Sequence, residues 1–174
     1  MSGFLSSSIA RKVAMALVAL FLIFFLIIHL AVNITSLFSE DLFNELAHFM
    51  GNNPLVQFAL QPVLIVGVIF HFVMGFVLEL KNKKATTVKY AKDNGAANSS
   101  WMSRNMIYSG LVILAFLVLH FIDFWFPEMN YKYIEGRPVD TTRYFSELQH
   151  KFVNPIRVGA YVISFVLLGL HLAH

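Results

Sequence analysis

Histidines are the residues of this sequence with the clearest capacity for chemistry. Each of four apolar segments contains one, in "FLIIHLAVN", "VIFHFVMG", "FLVLHFID" and "LLGLHLAH", and these are His29, His71, His120 and His171. An imidazole inside a membrane is costly, so such residues usually face the interior of a helical bundle and have a function. For any single histidine, a hydrogen bond to a neighbouring helix or a place in a cavity wall is an equally good explanation. Four of them on four segments invite a test of their geometry.

The composition restricts the class of protein. The chain has 174 residues, of which 57% are hydrophobic and 13% charged. A soluble domain of this size cannot bury so much apolar surface, which indicates a membrane protein. The absence of cysteine excludes disulfides, thiolate metal sites and cysteine-ligated iron–sulfur clusters in this chain. The basic residues flank the apolar segments and line no aromatic-rich groove, which argues against a nucleic-acid partner.

Four segments are long enough to cross a bilayer, which takes ~20 helical residues. The sequence therefore predicts an all-α integral membrane bundle, a single membrane domain over 1–174, with transmembrane helices at about 13–36, 56–80, 106–126 and 155–174. The first has no small-residue cleavage signal after it and is expected to be retained. Ser39 and the acidic residues after it predict a short interfacial helix at about 40–50. The last segment is still apolar at His174, which suggests a fragment of a longer protein.

Lysine and arginine mark the cytoplasmic side of a membrane protein. One set of them lies at the N-terminus and in residues 81–104, namely Arg11, Lys12, Lys81, Lys83, Lys84, Lys89, Lys92 and Arg104. Residues 37–54 carry acids and no basic residue, whereas residues 127–154 are of mixed charge. We therefore expect a cytoplasmic N-terminus and a cytoplasmic second connection. The first and third connections then face outward, and the run "KNKK" is expected to contact anionic lipid.

Counting along the helices places two histidines towards the outer face. With a rise of ~1.5 Å per residue, His29 lies roughly 26 Å beyond Lys12, and His120 lies roughly 24 Å beyond Arg104. Lys12 and Arg104 mark the inner boundary of their helices. His29 and His120 are thus expected at one level, in the outer half of the membrane.

The other two histidines are expected in the inner half. His71 lies only about 15 Å from the inner boundary at Lys81, and His171 lies about 24 Å from Pro155 at the outer edge of its helix. His71 and His171 thus share a second level. Because successive helices cross the membrane in alternate directions, this agreement in depth is not automatic.

Two histidines at equal depth on facing helices are what bis-imidazole haem ligation requires. Gly67 and Gly75 lie four residues either side of His71 and on its face, where a missing side chain would admit a flat macrocycle or simply allow close helix packing. The sequence thus predicts two b haems, held without the covalent Cys-x-x-Cys-His attachment. Zinc or copper would lack further ligands at either level, and a proton relay would not need pairs of equal depth.

The four histidine segments also carry a family resemblance. "IIHLAVN", "FHFVMGFVLE", "LVLHFIDFW" and "GLHLAH", in this order and one per helix, resemble the di-haem cytochrome b membrane anchor of succinate dehydrogenase and fumarate reductase. The similarity is to the single-chain, five-helix type and extends over the whole sequence, without that family's fifth helix. It implies axial ligands paired between helices one and three, His29 with His120, and between helices two and four, His71 with His171. It assigns no ligand role to His174.

The resemblance implies a function. Such anchors hold a flavoprotein subunit and an iron–sulfur subunit on the cytoplasmic face of a bacterial inner membrane, and they carry electrons between these partners and a membrane quinone, often menaquinone. Succinate or fumarate chemistry of the tricarboxylic acid cycle would occur on the partner chains. In this setting Asp123 is a candidate for quinone protonation near the outer haem, or an interfacial residue. Asn33 is a candidate ligand of a haem propionate, or a helix cap.

Two other functions fit the same sequence. A di-haem cytochrome b subunit of another quinone-linked dehydrogenase, such as a hydrogenase or a formate dehydrogenase, would keep the haems and change the electron donor. A haem-free membrane scaffold or transporter would use the buried histidines without iron. Haem content separates the last function from the first two, and the copurifying enzyme separates the first two from each other.

Overall fold

The chain is helical in every regular element of the part that the structure describes, which is residues 7–85 and 105–173 of a computed structural model. The α-helices, in chain order, are α1 (Ser8–Thr35), α2 (Glu40–Asn52), α3 (Gln61–Ala85), α4 (Met106–His120), α5 (Phe126–Met129), α6 (Arg143–Phe152) and α7 (Pro155–Leu172). Three π-helical turns, Val56–Leu60, Phe121–Trp125 and Asn130–Ile134, continue these helices. The all-α fold that the sequence predicts is confirmed.

Four of the described helical segments are long and apolar enough to cross a membrane. These spans are Ser8–Thr35, Val56–Asn82, Met106–Ile134 and Pro155–Leu172. A membrane-embedded, four-span protein is thus the class that the helices define. Polar backbone groups in lipid need internal hydrogen bonds, and an unbroken helix provides them within one segment.

The third span continues past Phe126, where the sequence analysis ends it, as far as Ile134. Pro127 follows directly after Phe126, and a proline inside a regular α-helix normally removes a hydrogen bond and stops or kinks the helix. Here the π-helical turn Phe121–Trp125 comes first, and the Phe126 N–H bonds back to the Phe121 carbonyl, so Pro127 starts a new helical segment. The span then ends at Gly136, whose φ of 59° is a conformation that favours glycine after a helix.

Side-chain caps fix where two helices begin. Ser39 Oγ accepts a hydrogen bond from the Leu42 N–H at 3.2 Å at the start of α2. Asn154 Oδ1 accepts from the N–H groups of Ile156 and Arg157, at 2.9 and 3.2 Å, at the start of α7. Each cap satisfies amide groups that have no partner inside the helix, so α2 and α7 begin sharply.

The described residues form two compact units. The first contains the residues up to Leu78 together with Thr141–Phe145. In it, Gly67 of α3 faces α1, because a Cβ there would lie 3.7 Å from the Phe21 ring and 3.8 Å from Leu22. Close approach of two membrane helices at a small residue is the usual packing of such spans.

Residues 141–145 are held against α2 in this first unit. Asn44 is buried, and its Oδ1 accepts a hydrogen bond from the Phe145 N–H at 2.8 Å. Asn52 Nδ2 donates to the Tyr144 hydroxyl at 3.0 Å. The Phe43 and Phe145 rings meet edge to face, 6.2 Å apart. Residues 141–145 are thus held by α2 through both hydrogen bonds and an aromatic contact.

The second unit contains the described residues of Glu79–Asp140 and Ser146–His174, with α4 packed against α7. Its centre is Tyr161, which is only 3% exposed. Four phenylalanine rings surround it with centroid distances from 4.9 to 6.4 Å, and these belong to Phe116, Phe124, Phe152 and Phe165. Most of them meet it edge to face, the arrangement that aromatic pairs prefer.

The Asn44 contact gives a stability prediction. Asn44→Ala leaves the part-buried Phe145 N–H without its acceptor, and we expect a loss of about 1 kcal/mol of stability, the usual net contribution of such a hydrogen bond. Thermal unfolding of the purified protein in detergent measures it. Glu45→Ala, an exposed change one residue along α2, is the matched control and should leave the midpoint unchanged. Equal midpoints for the two variants would show that this hydrogen bond does not hold the segment.

Candidate functional site

His29 in α1 shares its hydrogen bonds with Asn33, one turn later in the same helix. Asn33 Nδ2 donates to the His29 carbonyl oxygen at 2.8 Å and lies 3.3 Å from His29 Nδ1. Because both contacts come from the amide nitrogen, the ring nitrogen facing it is an acceptor, and Nε2 carries the ring proton. The structure thus places Asn33 on His29 itself. His48 and Asn52 in α2 repeat the same arrangement, at 2.9 and 3.0 Å.

His71 in α3 has a different environment. Its Nδ1 is buried and has no hydrogen-bond partner among the residues that the structure describes. At Gly75, one turn later, a Cβ would meet nothing within 4 Å, so open space lies beside this part of the helix. Gly67, one turn earlier, is buried against α1 instead. An unsatisfied buried nitrogen next to open space is the kind of place that a planar ligand can fill.

The two histidines of the first unit lie at different levels. Gly67 is opposite Phe21 and Leu22, so His29 lies roughly 11 Å beyond this contact along α1, and His71 about 6 Å beyond it along α3. Since successive spans run in opposite directions, the two offsets point to opposite faces of the membrane. The separation along the membrane normal is roughly 17 Å, too far for both imidazoles to bind one metal ion at the usual distance of about 2 Å.

His171 in α7 lies against α4. Its Nδ1 is 2.9 Å from Ser109 Oγ, and the Ser109 hydroxyl also donates to the Met106 carbonyl at 2.9 Å. The neighbouring Gly110 lies beside the ring, where a Cβ would be 3.9 Å from His171 Cε1, an ordinary van der Waals distance. The sequence analysis singled out His171 but neither Ser109 nor Gly110, since contacts between helices leave no local signal in the sequence.

His120 is surrounded by aromatic rings at the other end of α4. The centroids of Phe124, Phe116 and Tyr161 lie 5.3, 6.1 and 6.4 Å from its own. Tyr161 precedes His171 by ten residues on α7, and Ser109 precedes His120 by eleven on α4, so both helices give about 15 Å between the two histidines. The histidines of the second unit are also too far apart for one metal ion.

Asp123 is the most buried charged residue of the described chain, at 2% exposure. It lies in the π-helical turn after His120, and such turns are frequent at functional sites. Its Oδ2 accepts a hydrogen bond from the Tyr161 hydroxyl at 3.0 Å and pairs with Arg157 Nε, also at 3.0 Å. Its Oδ1 is buried and has no partner among the described residues. The structure thus provides a charge-paired carboxylate with one acceptor oxygen still available.

The sequence analysis flagged Asp123 but named neither Arg157 nor Tyr161. A signal existed, because Arg157 and Tyr161 are four residues apart and share one face of the fourth span. Because both residues lie near the predicted depth of Asp123, this pattern could have suggested that they contact its carboxylate.

Two further points concern possible metal ligands. The described residues include no cluster of three or more histidine, cysteine, aspartate or glutamate side chains that could hold a metal ion. Haem ligation requires only two histidines, so such a cluster is not needed for the predicted site. His174, which the sequence analysis excludes as a ligand, lies outside the described residues.

Comparison of the chain with models of protein families, with characterised proteins and with solved structures gave no match. The fold and the site define a class directly. The chain is a polytopic α-helical membrane protein whose spans carry half-buried histidines and one buried, charge-paired acid.

The Asp123–Arg157 pair gives the next prediction. Arg157→Leu leaves a buried carboxylate without its cation, and we expect a loss of about 3 kcal/mol, the lower end for a broken buried pair because Arg157 is about one-third exposed. The double variant Asp123→Asn/Arg157→Leu should recover most of that loss. Thermal unfolding in detergent measures both.

The control for that prediction is an exposed ion pair in the same unit. Arg137 pairs with Glu135 at the surface, and Arg137→Leu should cost less than about 1 kcal/mol. If Arg157→Leu were no more destabilising than Arg137→Leu, or if the double variant were no better than the single one, the pair would not be an energetic anchor of this unit.

Proposed function

We propose that this chain is the membrane anchor of a quinone-linked oxidoreductase, a di-haem cytochrome b of the succinate dehydrogenase and fumarate reductase type. The observation that carries the proposal is the same in both units: each holds two half-buried histidines at levels roughly 15–17 Å apart along the helices. Two sites at two depths, each with an imidazole, are what two stacked haems would need.

In this proposal the four histidines divide between two sites. His29 and His120 would hold one haem b, and His71 and His171 the other. The buried, unpartnered Nδ1 of His71 and the open space at Gly75 support a planar group on that side of α3. His171, with its Nδ1 at Ser109, is oriented by α4. When bound, haem would supply one-electron transfer, which no side chain of this chain can supply.

His29 requires a local change to act as a ligand. Iron binds an unprotonated ring nitrogen, whereas the Asn33 amide now donates towards Nδ1 and leaves the proton on Nε2. Ligation through Nε2 therefore requires the Asn33 side chain to present its amide oxygen to Nδ1. A half-turn of the terminal amide achieves this without moving the helix, at the cost of the bond from Nδ2 to the His29 carbonyl.

Asp123 is the proposed proton acceptor for the membrane quinone, which we take to be menaquinone. Oxidation of a hydroquinone releases two protons and two electrons, and a proton needs an acceptor where water is scarce. Arg157 balances the carboxylate charge, and the Tyr161 hydroxyl binds Oδ2, so Oδ1 is the oxygen for a hydroquinone hydroxyl. Asp123 follows His120 by three residues, which puts both on the same side of the span.

The remaining parts of the proposal concern partners and orientation. The basic residues at the N-terminus and in residues 81–104 favour a cytoplasmic location for both, in a bacterial inner membrane. A flavoprotein and an iron–sulfur subunit would then dock on that face, where the charged second connection and anionic lipid lie together. Copurification tests this partner assignment: covalent flavin supports it, and a nickel or molybdenum enzyme points to a hydrogenase or formate dehydrogenase.

Haem content gives the main test. Pyridine haemochrome analysis of the purified natural protein should show two b haems per chain. His71→Ala and His171→Ala should each remove the same haem, and His29→Ala and His120→Ala the other, because iron that loses one axial ligand is loosely held. Redox-titrated optical spectra distinguish the two haems.

The matched control for the ligand variants is His48→Ala. His48 has the same asparagine contact as His29 but lies in α2, outside the four spans, so both haems should remain. His174→Ala should likewise retain both haems. A natural protein without Soret absorption would refute the proposal, and a spectral defect shared by His71 and His120 variants would refute the pairing.

The orientation is tested with single cysteines, since the chain has none of its own. Thr141→Cys, in the third connection, should react with a membrane-impermeant maleimide added to intact spheroplasts, because this connection is expected to face outward. Ser2→Cys and Ser99→Cys should react only after the membrane is opened. The reverse labelling pattern would invert the topology and move the proposed docking face.

A further inference from the structure

The contact between His171 and Ser109 is a polar pair between two membrane spans, α7 and α4. The atoms Nδ1 and Oγ lie 2.9 Å apart, a normal hydrogen-bond distance. The pair is half-buried and belongs to the unit in which α4 and α7 pack along each other. Because Ser109 and His171 lie on different helices, the packing of α4 against α7 brings their side chains together.

The second hydrogen bond of Ser109 determines the direction of the first. A serine hydroxyl has one proton, and the Met106 carbonyl at 2.9 Å can only accept, so both contacts of Ser109 are hydrogen bonds only when that proton points to Met106. Towards His171 the hydroxyl oxygen can therefore only accept. His171 Nδ1 must then carry the ring proton, which places the lone pair of the neutral imidazole on Nε2.

We propose that Ser109 is a positioning residue for His171: it fixes the Nδ1–H tautomer and the ring orientation, and so prepares Nε2 as a metal-binding atom. The inference deepens the proposed haem function and rests on it for the identity of the metal. Hydrogen bonds from the second ring nitrogen of a metal-binding histidine to an outer acceptor commonly set tautomer, orientation and basicity.

The other histidines show that this preparation is specific. Asn33 approaches His29 Nδ1 with an amide nitrogen, which favours the opposite tautomer. His71 Nδ1 has no partner among the described residues. At His171, the contact with Ser109 sets the tautomer that ligation through Nε2 needs.

The first experiment tests the tautomer without haem. The natural chain, produced in haem-deficient cells and labelled with ¹⁵N-histidine, should show the His171 ring in the Nδ1–H form by long-range ¹H–¹⁵N correlation; the His171→Gln spectrum identifies its signals. Ser109→Ala should give a mixture of both tautomers, and Ser109→Thr, which keeps the hydroxyl, should restore the single form. An Nε2–H ring in the natural chain would overturn the proposal.

The second experiment uses the haem-loaded protein. Ser109→Ala should weaken retention of the His71/His171 haem by about 10-fold or more, the lower end for loss of such an outer contact. Its midpoint potential should rise, because an imidazole that no longer donates to the serine oxygen gives less electron density to ferric iron. The low-spin electron paramagnetic resonance signal of that haem should also shift, while the signal of the other haem stays in place.

Ser164→Ala is the matched control. Ser164 is a buried serine on α7, the helix of His171, but its hydroxyl donates to the Ala160 carbonyl of its own helix at 2.7 Å. This variant should change neither tautomer nor spectrum. If Ser109→Ala behaved as Ser164→Ala in both experiments, the positioning role would be wrong even in a di-haem protein. A natural protein without haem but with the Nδ1–H tautomer would refute the proposed function and leave the role of Ser109 intact.

Discussion

The pairing of Asp123 with Arg157 and Tyr161 is the interaction on which the second unit depends. A carboxylate in an apolar span is stable only if its charge and its oxygen atoms find partners. Here both partners come from α7, one and two turns after the Asn154 cap. The ion pair therefore fixes how far α7 slides along the third span, and the rings around Tyr161 fill the space that this register creates.

The register that the Asp123 ion pair sets between α7 and the third span also determines which residues meet at the other end of α7 and α4. With Tyr161 held beside His120, the ten residues that follow on α7 bring His171 to Ser109, and α4 covers the same distance in eleven residues. A slip of one turn would move His171 by about 5.4 Å and separate it from the hydroxyl. The ion pair of Asp123 and the contact between His171 and Ser109 thus depend on the same register of α7, although they lie about 15 Å or more apart along the helices.

Sequence reasoning predicted those features that depend on long local patterns. The four spans, the capped helix α2 and the different depths of histidines in one unit follow from apolar length, the Ser39 signal and the helical rise. The third span continues past Phe126, where the sequence analysis ended it, because the π-helical turn before Pro127 lets the helix resume with the proline in a first turn. Ser109 could not be predicted, since its partner lies 62 residues away in the chain and only packing brings the two together. Arg157 and Tyr161 lie 34 and 38 residues from Asp123, and their shared helix face was the only sequence signal for this group.

The hydrogen bonds of the histidines also show that these side chains are not equivalent, although their sequence contexts look alike. His171 is already held by a hydroxyl acceptor between two helices, so binding a metal through Nε2 leaves its outer contact unchanged. His29 is held by the amide nitrogen of its own helix, and the same event there requires the Asn33 side chain to turn and to give up a hydrogen bond worth about 1 kcal/mol. The similar sequence contexts of the histidines therefore conceal unequal preparation for ligation. The difference arises because a partner four residues away is dictated by the local sequence, whereas a partner on a neighbouring helix depends on the register that the buried ion pair sets.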